Sequence, residues 1–458
     1  MRKTIRNFIA ALFILVIIES AFAQNKNKKF NVIFILADDL GWTDLGLYGS
    51  DLHETPNLDR FASESLRFTN AYITSPQCSP SRSSIWSGKY AHSTGTEDLH
   101  EPLPARVKIF PQMISEKNYY CGNVGKLHLG KPSRKKFDFF SRDVDDWKKF
   151  LNNAPENNPF FLTLGFHQPH RPFKYKKQKY EYNKDKIILP SYLPDLNPVR
   201  KDLKRYYNEI SKMDHKIGEL LKYLENNELL EDTLVVFLSD NGPPFPRAKG
   251  FLYDAGIKTP LIFYWKNKIK SAINEKMVSA IDLVPTLLEM IDIDIPDFLH
   301  GESFYKIIKR KWANHRKYIF TERNWHDLDD HVRSVRTHKY KYIRNYLPWK
   351  PYTLPADVFG SPSFKAMLEA KRNNNLSGQK KLIFKWPRPA EELYDLEKDP
   401  HEFNNLAFQQ DYAGIIEELK DQLNNWEAYT NDVPIRKRKP DNYDYRKIFK
   451  KNGIDIQY

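Results

Sequence analysis

Two pairs of oxygen-bearing side chains follow apolar runs: Asp38-Asp39 after Phe30–Ala37, and Asp240-Asn241 after Thr233–Leu238 and Ser239. Such donors suit a hard divalent cation, Ca²⁺ or Mg²⁺. Either pair alone reads more readily as a helix or turn cap, but two pairs at two strand ends favour the metal. Cys78 opens the segment Cys78-Ser79-Pro80-Ser81-Arg82. A thiol at a helix start beside an arginine is a candidate nucleophile, because both features favour an anion. An inert buried thiol and a disulfide to Cys121, the only other cysteine, are the competing readings. Lys126 and His128 lie between glycines in GKLHLG, His167 and His170 lie in FHQPHRPF, and Lys249 stands in a Pro/Gly-rich loop beyond Asp240. Cations and imidazoles beside an acid-bound metal describe a site for a tetrahedral oxyanion.

These residues need a scaffold that gathers them. Phe30–Ala37 (FNVIFILA), Phe160–Phe166 (FFLTLGF) and Thr233–Leu238 (TLVVFL) are continuous apolar runs, the signature of parallel strands buried on both faces. Helical spacing lies between them, at Asn57–Ser65 and Asp202–Asn226. Alternating strands and helices make an α/β domain, where ligands collect at the carboxyl ends of the strands, and those ends carry the acids and His167. Beyond about residue 330 the texture changes. Arg333–Tyr346 reads as one half-exposed strand, Asn373–Lys381 as a loop insertion, Tyr412–Tyr429 as an amphipathic helix and Pro434–Lys451 as a basic tail. The expected organisation is therefore an export signal over 1–23, a catalytic domain over 24–330 and a smaller α+β subdomain over 331–458.

The export signal comprises basic Arg2, Lys3 and Arg6, the apolar stretch Phe8–Ile18, and a small-residue cleavage site at Ala21-Phe22-Ala23. The mature chain is expected in a periplasm or outside the cell, without a membrane span. At 458 residues with 9 Trp, 26 Tyr and 29 Phe, the chain is too long and too aromatic for a disordered protein, and its 2 Cys rule out a disulfide-stapled mini-fold. The net charge of +14 suits a polyanionic partner. No recognition motif supports nucleic acid, and an export signal opposes it.

In order, Asp-Asp after the first strand, CxPSR, GKxHxG, PHxPF and SDNG make the chain resemble a type I sulfatase of the alkaline-phosphatase-like superfamily. DNGPPFP at Asp240–Pro246, FGSPSFKAML at Phe359–Leu368 and ELYDLEKDPHEFNNLA at Glu392–Ala407 are similar to the heparan N-sulfatase (sulfamidase) branch. The resemblance implies a large, mixed, mostly parallel sheet flanked by helices, with an antiparallel sheet in the C-terminal subdomain. It implies oxidation of Cys78 to formylglycine by a formylglycine-generating or anaerobic sulfatase-maturing enzyme. It implies one Ca²⁺ per chain held by Asp38, Asp39, Asp240, Asn241 and residue 78. Arg82 and Lys126 would hold the formylglycine and neutralise charge, and His128 would take the proton that drives release of sulfate. His170, assisted by Lys249, would contact the sulfate or protonate the leaving group. His167 is expected to be supporting or structural, with His100 and Arg171 as candidate sugar contacts. The expected substrate is a sulfated saccharide attacked from its end, first N-sulfoglucosamine, with an O-sulfated algal ulvan-type polysaccharide or glycosaminoglycan as the alternative. A phosphatase of the same superfamily is disfavoured by Cys at position 78 and the lack of a His-rich metal set. A binding protein without activity is disfavoured by the completeness of the set.

Overall fold

The computed structural model describes residues 30–49, 55–173, 182–310, 312–432, 439–442, 444, 447, 450 and 451. The export signal expected over 1–23 and much of the expected basic tail lie outside the described residues. The described residues build two sheets. The elements used below are β1 (Asn31–Asp38), α1 (Pro56–Ser63), β2 (Leu66–Tyr72), α2 (Cys78–Ser87), β3 (Tyr120–Gly125), β4 (Phe139–Ser141), β5 (Phe160–Pro169), α3 (Asn197–Asn226), β6 (Thr233–Ser239), β7 (Lys258–Tyr264), β8 (Ala272–Asn274), β9 (Val278–Ser279), β10 (Ile319–Arg323), β11 (Val332–Arg336), β12 (Tyr340–Asn345), α4 (Pro362–Arg372), β13 (Glu391–Asp395) and α5 (Ala413–Thr430).

The larger sheet has nine strands in the order β4-β3-β5-β1-β6-β7-β2-β8, with β9 on β2. β1 lies at its centre, parallel to β5 and β6, and every residue from Val32 to Asp38 is buried. Burial on both faces explains why these strands read as unbroken apolar runs rather than alternating ones. Strand β7 runs antiparallel to β6 and β2, which makes the sheet mixed. The 30-residue α3 carries a broad apolar stripe against β5. Its Asp214 accepts the Leu58 N–H at 2.7 Å and so fixes the start of α1.

The smaller sheet is antiparallel, in the order β10-β11-β12-β13. It takes in Ile319–Arg323, upstream of residue 331. The single half-exposed strand expected over Arg333–Tyr346 is instead a hairpin, β11 and β12. Its turn has none of the usual Gly, Pro or Asn signals; Thr337 Oγ1 closes it by accepting the Tyr340 N–H at 2.9 Å. β11 is buried at all five positions, because α5 covers one face with Leu419, Leu423 and Trp426. On the other face Arg336 pairs at 2.9 Å with Asp254, which opens a short helical turn just before β7. A further tie, from the Glu322 N–H to the Thr74 carbonyl at 2.8 Å, brings the end of β10 beside the segment leading into α2.

Candidate active site

The carboxyl ends of β1, β5 and β6 form one edge of the large sheet. As the chain leaves β1, Asp39 adopts φ +69°, a left-handed conformation that Asp accepts more readily than most residues. The two acid-bearing ends are bonded to each other: Asn241 Nδ2 donates to Asp39 Oδ1 at 2.7 Å, and the Asp39 N–H to Asp240 Oδ1 at 3.2 Å. Asp38, Asp39, Asp240 and Asn241 are fully buried.

Helix α2 delivers the thiol. Trp86 packs on Phe34 of β1 and Phe161 of β5, with ring centroids 4.6 and 5.8 Å apart. That contact seats the helix against the central strands with Cys78 at its first turn. Cys78 Sγ lies 3.4 Å from Asp38 Oδ1 and 3.7 Å from Asp39 Oδ1. Arg82, one turn on, shares that helix face. Its Nε donates to Asp240 Oδ2 at 2.6 Å and its Nη1 to the Lys126 carbonyl at 2.6 Å. Nη2 is buried 3.9 Å from Asp38 Oδ1 and makes no hydrogen bond among the described residues.

Lys126 arrives through a close approach of two glycines. Gly125 of β3 lies opposite Gly165 of β5, and the Lys126 N–H donates to the Gly165 carbonyl at 2.7 Å. A Cβ on Gly165 would stand 2.0 Å from the Lys126 carbonyl oxygen, so only hydrogen fits. Lys126 Nζ then reaches Asp38 Oδ2. Lys249 Nζ donates to Asp39 Oδ2 at 2.8 Å and to Asp357 Oδ2 at 2.9 Å. His170 Nε2 lies 3.8 Å from each of the same two oxygens. His128 Nε2 is 2.7 Å from His100 Nδ1, while its own Nδ1 is buried without a partner among the described residues.

The electrostatics follow from burial set against this lattice of charges. Burial opposes the charge on Asp38, but Lys126, His170, Arg82 and Lys249 hold its carboxyl well below the usual range. Burial pushes Asp240 up to about 6 against the pull of Arg82. Burial, then repulsion by Lys126 and Arg82, drives His128 far below its ordinary value and keeps the imidazole neutral. Burial also lifts the Cys78 thiol well above its ordinary value despite Lys126 and Lys249. This corrects the expectation that a helix start and Arg82 would favour a thiolate: unmodified Cys78 stays a protonated, weak nucleophile. Both cysteines are free and buried, which removes the disulfide reading; Cys121 faces the Pro111 and Tyr119 carbonyls.

Cys78, Arg82, Lys126, His128, His170, Lys249 and the four oxygen donors thus converge, with His100 beside His128. Arg171 does not join them. Its guanidinium is buried, bidentate to Asp202 at 2.8 and 2.7 Å and bonded to the Pro244 carbonyl at 3.0 Å, so its charge is already paired within the fold. His167 is exposed on β5. Two contributors escaped the sequence reading. Asp357 bridges Lys249 and His170, and His326, buried on the loop after β10, pairs with Asp327 at 2.9 Å. Asp357 stands two residues ahead of the FGSPSFKAML segment, and no local pattern marks it.

Among the described residues, the ligand atoms of Asp38, Asp39, Cys78 and His170 lie within 4.8 Å of one another. Asn241 Oδ1 is buried, and none of the described residues donates to it. The carboxylates of Asp38, Asp39, Asp240 and Asp357 face the fixed cations of Arg82, Lys126 and Lys249, so the cluster lacks the positive charge to receive an anion unaided. Oxygen donors with that deficit fit a hard divalent cation.

The sulfatase family profile matches residues 30–144 and 141–293, and the profile of the N-sulphoglucosamine sulphohydrolase C-terminal region matches residues 247–379. Human N-sulphoglucosamine sulphohydrolase is 30% identical, over 88% of this chain and 90% of its own. An ulvan-active sulfatase of Formosa agariphila is 28% identical, over 89% of this chain and 76% of its own. A solved structure in complex with its substrate D-glucosamine-2-N,6-O-disulfate superposes with a TM-score of 0.70 at 20% identity, covering 90% of this chain and 100% of that one, and so shares the alkaline-phosphatase-like fold. A profile match across most of the large sheet, joined to a relative of this identity along nearly the whole length, places the chain in the sulfatase family.

Proposed function

We propose that this sulfatase removes sulfate from a sulfated carbohydrate, N-sulfoglucosamine first, with residue 78 as its nucleophile. The observation that carries the reading is the convergence of Cys78, three buried carboxylates and three cations at one sheet edge. Cys78 is 2% exposed, so its oxidation by a maturation enzyme must precede folding. Formylglycine at this position supplies, when hydrated, a hydroxyl nucleophile whose twin hydroxyl can regenerate the aldehyde. Asp38, Asp39, Asp240 and Asn241, with residue 78, would hold one Ca²⁺ per chain, which would polarise a sulfate oxygen and help ionise the attacking hydroxyl.

The remaining work belongs to side chains. Arg82 and Lys126 anchor residue 78 and offset the charge that gathers around sulfur; Nη2 of Arg82 is the spare donor for that purpose. His128, neutral and with a free Nδ1, takes the proton whose loss drives sulfate release. His170 and Lys249 occupy the leaving-group side and supply its proton. His100, exposed beside His128, is the sugar contact nearest the chemistry.

Similarity to human N-sulphoglucosamine sulphohydrolase, and the match to the C-terminal profile of that family, support a sulfamate substrate. Similarity to the ulvan-active sulfatase supports the second reading, an O-sulfatase in polysaccharide degradation. The leader is read as an export signal to a periplasm or the exterior, and no helix among the described residues is long and apolar enough to cross a membrane. Sulfate release from N-sulfoglucosamine, glucosamine 6-sulfate and ulvan oligosaccharides, with Cys78→Ala as control, separates the two readings. Turnover of the N-sulfated sugar alone supports the first, and turnover of an O-sulfated sugar alone supports the second. Turnover undiminished in Cys78→Ala overturns both.

A further inference from the structure

Asp357 sits in a short helical turn, Ala356–Phe359, that follows the smaller sheet's β12 and precedes α4. It is more than 100 residues from either of its active-site partners. Oδ2 accepts from Lys249 Nζ at 2.9 Å and faces His170 Nε2 at 3.8 Å. Oδ1 accepts the N–H of Val358 at 2.9 Å, which locks the rotamer. The turn itself is tethered: Asp327 Oδ2 accepts the Ala356 N–H at 2.8 Å, and the same Asp327 oxygen faces His326 Nδ1 at 2.9 Å. Lys249 is 1% exposed and its ammonium lies between two carboxylates, those of Asp39 and Asp357. His170 Nε2 lies between the same two oxygens.

Such symmetry has a consequence for catalysis. Asp39 belongs to the oxygen set that would bind the cation, so it would not be free to hold these two groups by itself. Asp357 is the only carboxylate outside that set among those that the described residues bring to Lys249 and His170. We propose that Asp357 is a positioning residue of the leaving-group side: its Oδ2 holds Lys249 Nζ and His170 Nε2 together, aimed for delivery of a proton to the departing sugar atom. This rests on the function proposed above and adds to it a residue supplied by the C-terminal part of the chain.

Asp357→Asn preserves size and can still accept from the Val358 N–H, but it turns an N–H donor toward the Lys249 ammonium. Asp357→Glu keeps the charge with a longer reach. The test is steady-state sulfate release by the matured full chain from N-sulfoglucosamine and glucosamine 6-sulfate, for wild type, both variants and Cys78→Ala, with thermal unfolding in parallel. Misplacing a reacting group by about 1 Å costs up to roughly 10²-fold, so Asp357→Asn should lower kcat by about 10²-fold while KM changes by less than about threefold. Asp357→Glu should recover at least about tenfold of that loss. Removing the charge beside buried Lys249 should lower the melting transition of Asp357→Asn, and Asp357→Glu, which keeps the charge, should restore it. If kcat stays near wild type in Asp357→Asn while Cys78→Ala is inactive, the positioning role is overturned and the proposed function stands. Loss of kcat in both Asp357→Asn and Asp357→Glu, accompanied by a lowered melting transition, also overturns it, in favour of a structural role. Full activity in Cys78→Ala overturns the function itself.

Discussion

Gly165→Ala inserts one methyl group at the point where β3 and β5 set the height of Lys126. The new Cβ would lie 2.0 Å from the Lys126 carbonyl oxygen, 2.8 Å from its carbonyl carbon and 3.0 Å from its nitrogen. These are backbone atoms, so no side-chain rotation relieves the clash; the strand ends must part by at least about 1 Å to reach even a tight contact. Two site interactions hang on that peptide. Its carbonyl accepts from Arg82 Nη1 at 2.6 Å, and its side chain carries the ammonium to Asp38. Overpacking of this kind costs about 1–3 kcal/mol of stability. A displacement of about 1 Å at charge-stabilising groups lowers kcat by roughly 10²-fold. Parallel thermal melts and sulfate-release kinetics read both effects, and the loss of rate should exceed what unfolding at the assay temperature explains. A Gly165→Ala enzyme with wild-type kcat would refute the claim that this glycine contact positions Lys126 and Arg82.

Three further outcomes are expected. His300 accepts the Tyr90 N–H on Nδ1 at 3.3 Å, and burial, ahead of Lys89 and His92, lowers it to about 4. The unfolded chain therefore binds that proton first as pH falls below about 6.5, so stability is complete above that pH and is lost toward pH 4. The loss is about 1 kcal/mol after allowance for solvent screening, and melts of His300→Gln should lack it. Lys258 lies 3.8 Å over the Trp42 ring beside a cavity of about 470 Å³, and burial lowers its ammonium to about 8 despite Asp254. A lowered lysine destabilises the fold below about pH 8 and ceases to do so as pH rises toward 10.5. Denaturant titration of Lys258→Met should show about 1–2 kcal/mol of added stability at pH 7, shrinking in alkali. Chelation should lower activity and melting temperature together, and Ca²⁺ should restore both; at a hundredfold excess over Kd the ion contributes about 2.7 kcal/mol. If chelation moves neither property, the oxygen cluster does not hold a metal.

The large sheet and most of its site could be read in advance because the signals are local. β1, β5 and β6 are buried on both faces, so each is an unbroken apolar run, and the residues just past each run are the ones that share an edge. Cys78 and Arg82 share a face because they are one helical turn apart. What escaped depends on contacts between distant segments. Asp357 meets Lys249 across 108 residues, and Glu322 to His326 meet the Cys78 edge across more than 240. The β11–β12 hairpin was hidden because a threonine side chain, rather than glycine or proline, closes its turn. Arg171 misled because an arginine following His170 looks available in sequence, whereas Asp202 of α3 binds it in space.

The central claim is that residue 78 works as an oxidised cysteine inside this cluster. Its direct test is the mass of the tryptic peptide containing residue 78, taken from protein whose sulfate release has been measured on the same preparation. The aldehyde form should be present in proportion to specific activity across preparations made with and without a maturation enzyme. Full turnover by protein in which Cys78 remains a thiol throughout would contradict it.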